Sequence, residues 1–509
     1  MPDQPKNSSY RLTSQDASFL YQESAVSQMH GAMIFFLKGE IPFEKLFRHY
    51  SERIHVAPRF RQRLFFPPLN IAHPTLEDDP DFNIENHVRH LELTPDLSEV
   101  EAVNEILRFN NSRLMDRTRP LWSVTLFSGL RGRSLILWEM HHAIVDGVSG
   151  FDLLNRMMDF TPHPAPVEPP AEPWKPAKLP TPIEAYTRGA HDVIVQQIEA
   201  ATRTASEYMR DPLGAMQRAQ ATQAETYRLM SENAQTTAVA TPWNSGAVTE
   251  ERTAAWLNMP FADFRAIRTA FGGTINDIVL TILGEGAARY LKHHGWSIDG
   301  KLRIGCPVNV RRPDEAITLE NRVSIMMPMT PAKPMDVVER LQAISTETKR
   351  IKDSGAPFAI EQMMSSNNPP AALTAEIGRL GAQQMEAAAQ FVKATNVKPS
   401  PTGPNAPVTG INFMATNVPG PQTAWYLAGV EVAEWVCAVS LAGNLGLGVV
   451  ITSYNQQMLI SLVAEPRLLP DVDRLRDFVQ EGFDELKDRL PQEAKGSRKG
   501  QSQVAAAGA

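Results

Sequence analysis

Cysteine is almost missing from this sequence: Cys306 and Cys437 are the two in 509 residues. That excludes a disulfide framework and a cysteine-based zinc site, and it fits a reducing compartment. A basic excess is also missing. Against 50 Lys and Arg stand 57 Asp and Glu, a net charge of −7, which leaves no electrostatic case for nucleic acid as a partner. Long apolar runs are lacking as well. The nearest, Trp435–Ile451, is broken by Ser440, Asn444 and three glycines, so it reads as two buried strands around a turn and not as a membrane span. Met1–Ser9 is polar with no apolar stretch, so no secretory leader is expected. These absences point to a globular, cytoplasmic protein long enough to bury a core without staples.

Proline is plentiful in one place. Nine of 39 prolines fall between Pro162 and Pro182, a segment poor in amide donors that favours extended polyproline II. It reads as a semi-rigid tether between two lobes, or as a long surface loop within one. The first reading divides the chain into a first lobe over 1–160, the tether with bridging helices over 161–248, a second lobe over 249–490 and a disordered tail over 491–509. Helical spacing over Ile183–Met209, broken at Asp211-Pro212, gives the bridging pair. Both lobes mix strands and helices. Met33–Leu37, Leu121–Phe127 and Ser134–Met140 read as strands of the first; Pro42–Val56 and Val100–Leu114 read as its helices. In the second, Phe261–Phe271 reads as a helix stopped by Gly272-Gly273, and Thr274–Leu291 as another. Its strands are expected at Leu302–Val308, Val323–Met329, Gly410–Thr416, Val430–Ser440, Gly446–Ser453 and Met458–Val463, with a closing helix over Pro470–Leu490.

The sharpest motif begins where the apolar strand Ser134–Met140 runs into His141-His142-Ala-Ile-Val-Asp146-Gly147. Asp146 is placed to cap the helix that follows. Neighbouring strand residues face opposite sides, so one histidine can enter a cleft while the other packs behind it. No further ligand with clear spacing stands nearby, which argues against a metal site, and no GxSxG nucleophile elbow occurs. Two readings stay open: a structural histidine at a strand end, or a neutral imidazole acting as general base, worth ~10²–10⁴ in rate.

His141-His142 with Asp146-Gly147 resembles the HHxxxDG signature of the CoA-dependent acyltransferase superfamily, which includes chloramphenicol acetyltransferase and peptide-synthetase condensation domains. Within it the chain resembles the bacterial wax ester synthase/acyl-CoA:diacylglycerol acyltransferase family. Leu12-Thr-Ser-Gln-Asp16-Ala-Ser-Phe-Leu20 with Met29-His30 looks like its N-terminal signature, and Pro58–Leu64 like its basic segment. Pro120-Leu121-Trp122 matches its PLW motif and Asn276-Asp277 its ND motif. Pro307–Arg311 and Thr416-Asn417-Val-Pro-Gly-Pro421 are similar to later motifs. The likeness spans about residues 10–485.

The resemblance implies an α/β (α+β) fold of two chloramphenicol-acetyltransferase-like lobes, each a mixed sheet with helices, and an active-site tunnel between them. It implies transfer of a fatty acyl group from acyl-CoA, a substrate and not a cofactor, to a long-chain alcohol or a diacylglycerol. His142 would be the base, His141 its neighbour, Asp146 an architectural residue paired to a basic partner for which Arg311 is a candidate, and Gly147 a point of close backbone approach. No metal or cofactor is implied. The rivals are an inactive lipid-binding relative and an amide-forming condensation domain; the latter normally sits beside carrier modules.

Several motif residues also have plain structural readings. Thr274 and Asp277 fit a capping box, compatible with a site-supporting role for Asn276 and Asp277. Pro120, Leu121 and Trp122 fit core packing. Thr416 or Asn417 would orient the acyl carbonyl or the oxyanion, or would belong to a rigid loop made by the prolines and glycine. Arg59-Phe60-Arg61-Gln62-Arg63 reads as a solvated face, or as a patch for an anionic membrane surface or CoA phosphates. With such greasy substrates the resemblance implies peripheral attachment to the inner face of the membrane or to lipid droplets.

Overall fold

A computed structural model describes residues 9–145, 147–235, 237–309, 323–355, 370–396, 398–401 and 410–491. Asp146, Arg311 and almost all of the tail lie outside the described residues.

The first lobe is built on β2 (His30–Leu37), β5 (Val88–Glu92), β6 (Trp122–Ser128) and β7 (Leu135–His141). Its helices are α1 (Ser14–Gln22), α2 (Phe43–Arg53), α3 (Glu99–Asn111) and α4 (Gly147–Met157). Thr13 with Asp16 and Ser98 with Glu101 close capping boxes that start α1 and α3. A small antiparallel sheet of β1 (Tyr10–Arg11), β3 (Gln62–Phe65) and β4 (Thr75–Asp78) flanks the lobe.

The proline-rich run carries no helix or strand up to Thr181. It is fastened to the first lobe: Trp174 stacks under the Arg61 guanidinium and meets Phe82 edge-on, and the Ala177 N–H donates to Asp78. It leads into α5 (Pro182–Arg210) and α6 (Pro212–Gln235). Pro182 sits in the first turn of α5, beside the Thr181–Glu184 capping box.

The second lobe contains β8 (Thr253–Pro260), α7 (Phe261–Phe271), α8 (Ile275–His293), β9 (Lys301–Asn309), β10 (Val323–Met326) and β11 (Met329–Pro331). It continues with α9 (Val337–Asp353), α10 (Ala371–Thr395), β12 (Phe413–Pro419), β13 (Tyr426–Leu427), β14 (Val430–Ala438), β15 (Leu447–Tyr454), β16 (Gln457–Ala464) and α11 (Val472–Asp488). Its sheet runs β10-β9-β12-β15-β16-β8 among the described residues, with β12 parallel to both β9 and β15 and the remaining pairs antiparallel. Helices α7, α8, α9 and α11 bury its apolar face.

Two differences from the sequence reading matter. β14 does not pair with β15: it leaves the second lobe and adds to the first sheet beside β2, giving the order β13-β14-β2-β7-β6-β5. Trp435–Ile451 is therefore a crossing between sheets, because the strands on either side of residues 439–446 find their backbone partners in different lobes. The lobes are then joined by packing as well as by chain. Ile34, Phe36, Val436, Ala254 and Val463 share one core, Phe36 lies 5.8 Å from Trp256, and Trp435 Nε1 donates to Thr452 at 2.9 Å. A boundary at residue 249 separates stretches of sequence but not the two sheets.

Phe36→Ala would empty this shared core, at a cost of about 3–5 kcal/mol. Chemical denaturation of the full chain should show both lobes losing stability together in one transition. Separate transitions, with only the first shifted, would contradict a shared core.

Candidate functional site

β7 lies between β2 and β6, and its end is held on both sides. The His141 N–H donates to Leu121 O at 3.0 Å, and the His142 N–H donates to Met29 O at 2.9 Å. The PLW and Met29-His30 motifs thus supply main-chain acceptors to the histidine pair. Pro120, Leu121 and Trp122 are otherwise core: Trp122 stacks on Phe60 and His87 at 4.5 and 4.7 Å, and its indole N–H donates to Phe60 O.

The two imidazoles part as strand alternation requires. His142 is half-buried over Gly31, whose absent Cβ would lie 3.4 Å from its Cε1, with the Phe19 ring at 5.2 Å. His141 is fully buried behind it. Its Nδ1 accepts the Ala143 N–H at 3.0 Å, which leaves the ring proton on Nε2, 3.3 Å from Glu23 Oε1.

Behind His141 lies a charged cluster that sequence reading missed. Glu23 Oε1 accepts the Met29 N–H at 3.2 Å and Oε2 accepts from Arg117 at 2.9 Å. Burial acts to raise the Glu23 carboxyl, but neighbouring His141 and Arg117 outweigh it and hold it down to about 2. Glu139 is buried on the same face, bonded to Arg113 at 2.6 Å and to the Ser123 hydroxyl. Burial pushes His30 below its ordinary range, against the pull of Glu139 at 3.9 Å. One acidic residue after a short helix and one inside an apolar strand carry no spacing signal; tertiary packing alone brings them together.

Asn276 and Asp277 stand at the start of α8. Gly272 and Gly273 precede them in the left-handed region, φ 80° and 76°, which suits glycine. Asp277 closes the predicted box with Thr274 and also accepts the Thr348 hydroxyl of α9 at 2.7 Å. Asn276 Oδ1 accepts from Asn417 Nδ2 at 3.1 Å. Both asparagines line a cavity of about 760 Å³ with Cys306, Ala415, Ser453 and Met458. The described lining comes from the second lobe, and neither histidine belongs to it. α4, leading away from the histidine motif, reaches this region through Phe151, whose ring lies beside Gly420.

Two expectations are corrected. Thr416–Pro419 is not a loop but the end of β12, because these residues pair in parallel with Val450–Ser453. Alternation then turns Asn417 to the cavity and Thr416 to the opposite face. Arg59 and Arg61 are not a solvated face or a membrane patch: both are buried, over the rings of Tyr10 and Trp174. Cys306 is a core residue that also lines the cavity. Gly147 opens α4, and the Asp146–Arg311 pairing lies outside the described residues. Among the described residues no group of three or more His, Cys, Asp or Glu is placed to hold a metal ion.

The wax ester synthase/diacylglycerol acyltransferase catalytic-domain family matches residues 12–279, more than half of the chain, and the WS/DGAT C-terminal domain matches residues 319–487. A putative diacylglycerol O-acyltransferase of Mycobacterium tuberculosis is 26% identical over 498 residues, covering 96% of this chain and 92% of that protein. The solved wax ester synthase/diacylglycerol acyltransferase of Marinobacter aquaeolei VT8 superposes with a TM-score of 0.59 at 20% identity, covering 94% and 99% of the two chains. The first condensation domain of the calcium-dependent antibiotic synthetase, in complex with a substrate analogue, superposes at 0.56 with 13% identity, covering 96% and 98%. These two likenesses establish the two-lobed fold.

Asp277→Ala removes a cap and a buried acceptor and should cost about 2–3 kcal/mol; Asn276→Ala removes one half-buried bond and should cost about 1 kcal/mol. Urea unfolding of both variants checks the order. The reverse order would show that Asp277 does not anchor α8.

Proposed function

Because this chain is an acyltransferase of the wax ester synthase/diacylglycerol acyltransferase family, we propose that it esterifies a long-chain alcohol, a diacylglycerol or both with the fatty acyl group of acyl-CoA. His142 takes the proton of the acceptor hydroxyl. The oxygen attacks the thioester carbonyl, the tetrahedral oxyanion collapses, the C–S bond breaks, and the proton returns to the CoA thiolate. Ester and free CoA leave, with no acyl-enzyme.

The observation that carries this reading is the half-buried imidazole of His142 at the end of a strand anchored from both neighbours. The thiols support direct transfer: burial, aided at Cys306 by the Asp277 charge, pushes Cys306 up to about 12, and burial does the same at Cys437. Thiols so reluctant to ionise are poor nucleophiles. His141, enclosed with Glu23, supports the backbone of its neighbour. Asn276 and Asn417 present amide groups to the cavity and are the candidates for contact with the carbonyl oxygen.

The acceptor and the product are insoluble in water, so we place the enzyme in the cytoplasm, bound peripherally to the inner membrane face or to lipid droplets. No described single helix is long and apolar enough to cross a membrane. Support comes from exposed apolar side chains that replace the basic patch as the contact surface. Leu69 is 84% exposed on a turn touching both α5 and α10, and Ile183, Ile194, Ile198, Ile377 and Leu380 are exposed on those helices. Their apolar faces suit shallow insertion at a lipid surface.

Purified protein with palmitoyl-CoA and hexadecanol should release thiol and form ester, and a competition with diacylglycerol measures acceptor preference. His142→Ala should abolish turnover in folded protein, and His141→Ala should be less damaging. No thiol release with either acceptor would favour a lipid carrier instead. In flotation with phosphatidylcholine vesicles carrying diacylglycerol, the double variant Ile194→Asp, Ile198→Asp should bind several-fold less than wild type; unchanged binding would reject this surface.

A further inference from the structure

We infer that Glu23 is a positioning residue for the transfer reaction, fixing His142 through two separate connections; this rests on His142 being the base. The first connection is main chain. Glu23 Oε1 accepts the Met29 N–H at 3.2 Å, and the carbonyl of that same residue accepts the His142 N–H at 2.9 Å. The carboxylate therefore holds the residue from which His142 hangs. The second connection is the imidazole of His141, whose Nε2 lies 3.3 Å from the same oxygen while its Nδ1 accepts the Ala143 N–H. Residues 141 and 143 are held on either side of His142.

Glu23 is itself immobilised. Its side chain is fully buried at the end of α1, and Arg117 bonds both its Oε2 and the Leu20 carbonyl, at 2.9 and 2.6 Å. Phe19, on the same helix, lies against the His142 ring. α1 thus touches the base directly through an apolar ring and indirectly through a carboxylate. A buried carboxylate is costly unless fully bonded, so a site needing only packing would take an apolar residue here. A charged, fully bonded group instead defines one geometry, and small displacements of a base from its hydroxyl are expensive in rate.

The test is Glu23→Gln in the full chain, assayed with palmitoyl-CoA and hexadecanol beside His142→Ala. Glutamine keeps the size and an acceptor for Met29 but loses the charge that holds His141 and Arg117. A fall in kcat of ~10–100-fold, with KM for both substrates within about twofold and the folded fraction unchanged by circular dichroism, is expected. Wild-type kcat in folded Glu23→Gln overturns the proposal while leaving His142 as base. Turnover retained by His142→Ala overturns the base assignment and this proposal with it. Should Glu23→Gln not fold, Arg117→Gln, at the partly exposed end of the network, carries the test: a kcat loss at constant KM supports positioning, and wild-type kcat overturns it.

Discussion

Two main-chain hydrogen bonds at the end of β7, from His141 to Leu121 and from His142 to Met29, decide where the imidazoles stand. A strand that ran one residue further or shorter would exchange the two side chains between faces. The Pro120-Leu121-Trp122 and Met29-His30 segments are therefore the lateral supports of the reactive strand, with Trp122 and His30 anchored in packing of their own. Glu23 adds a side-chain brace to one support, and Gly31 leaves room for the ring on the other face.

The second lobe contributes a cavity wall whose polar groups are secured by the same economy of contacts. Asn276 is fixed because α8 begins at a glycine pair and a capping box, and Asn417 because β12 is locked in parallel register. α4 spans from one lobe to the other, its Asn155 accepting from the Trp425 indole and its Phe151 lying by Gly420. The ring cluster of Phe35, Phe151, Trp425, Trp435 and Tyr454 sits where these parts meet.

Much of this could be read from residues alone, and the failures have physical causes. Helix α7 was read with its full span because glycines stop it, and α8 because Thr274 and Asp277 announce its first turn. The opposite facing of His141 and His142 followed from strand periodicity. Asn417 was misread because prolines and glycine after it signal a loop, whereas parallel pairing with β15 carries the strand to Pro419. Arg59 and Arg61 were misread because charge implies solvent; rings of Tyr10 and Trp174, distant in sequence, supply the cover. Helices α9 and α10 were missed although Val337, Leu341, Ile344 and Thr348 recur at helical spacing in α9; the partnership of Glu23 with Arg117 was missed because tertiary packing alone joins them.

The crossing of β14 has a consequence for how the molecule comes into being. β2 follows directly on the Met29 support, and its free edge is closed by residues 432–438, some 400 positions later. During synthesis the first sheet stays unfinished, with a bare edge on a histidine-bearing core, until nearly the whole chain has emerged. Such long-range pairing is slow to form, and an open edge invites pairing with the wrong strand. The reactive strand β7 is enclosed early, between β2 and β6, whereas the outer edge of the strand that supports it stays open until β14 has been made.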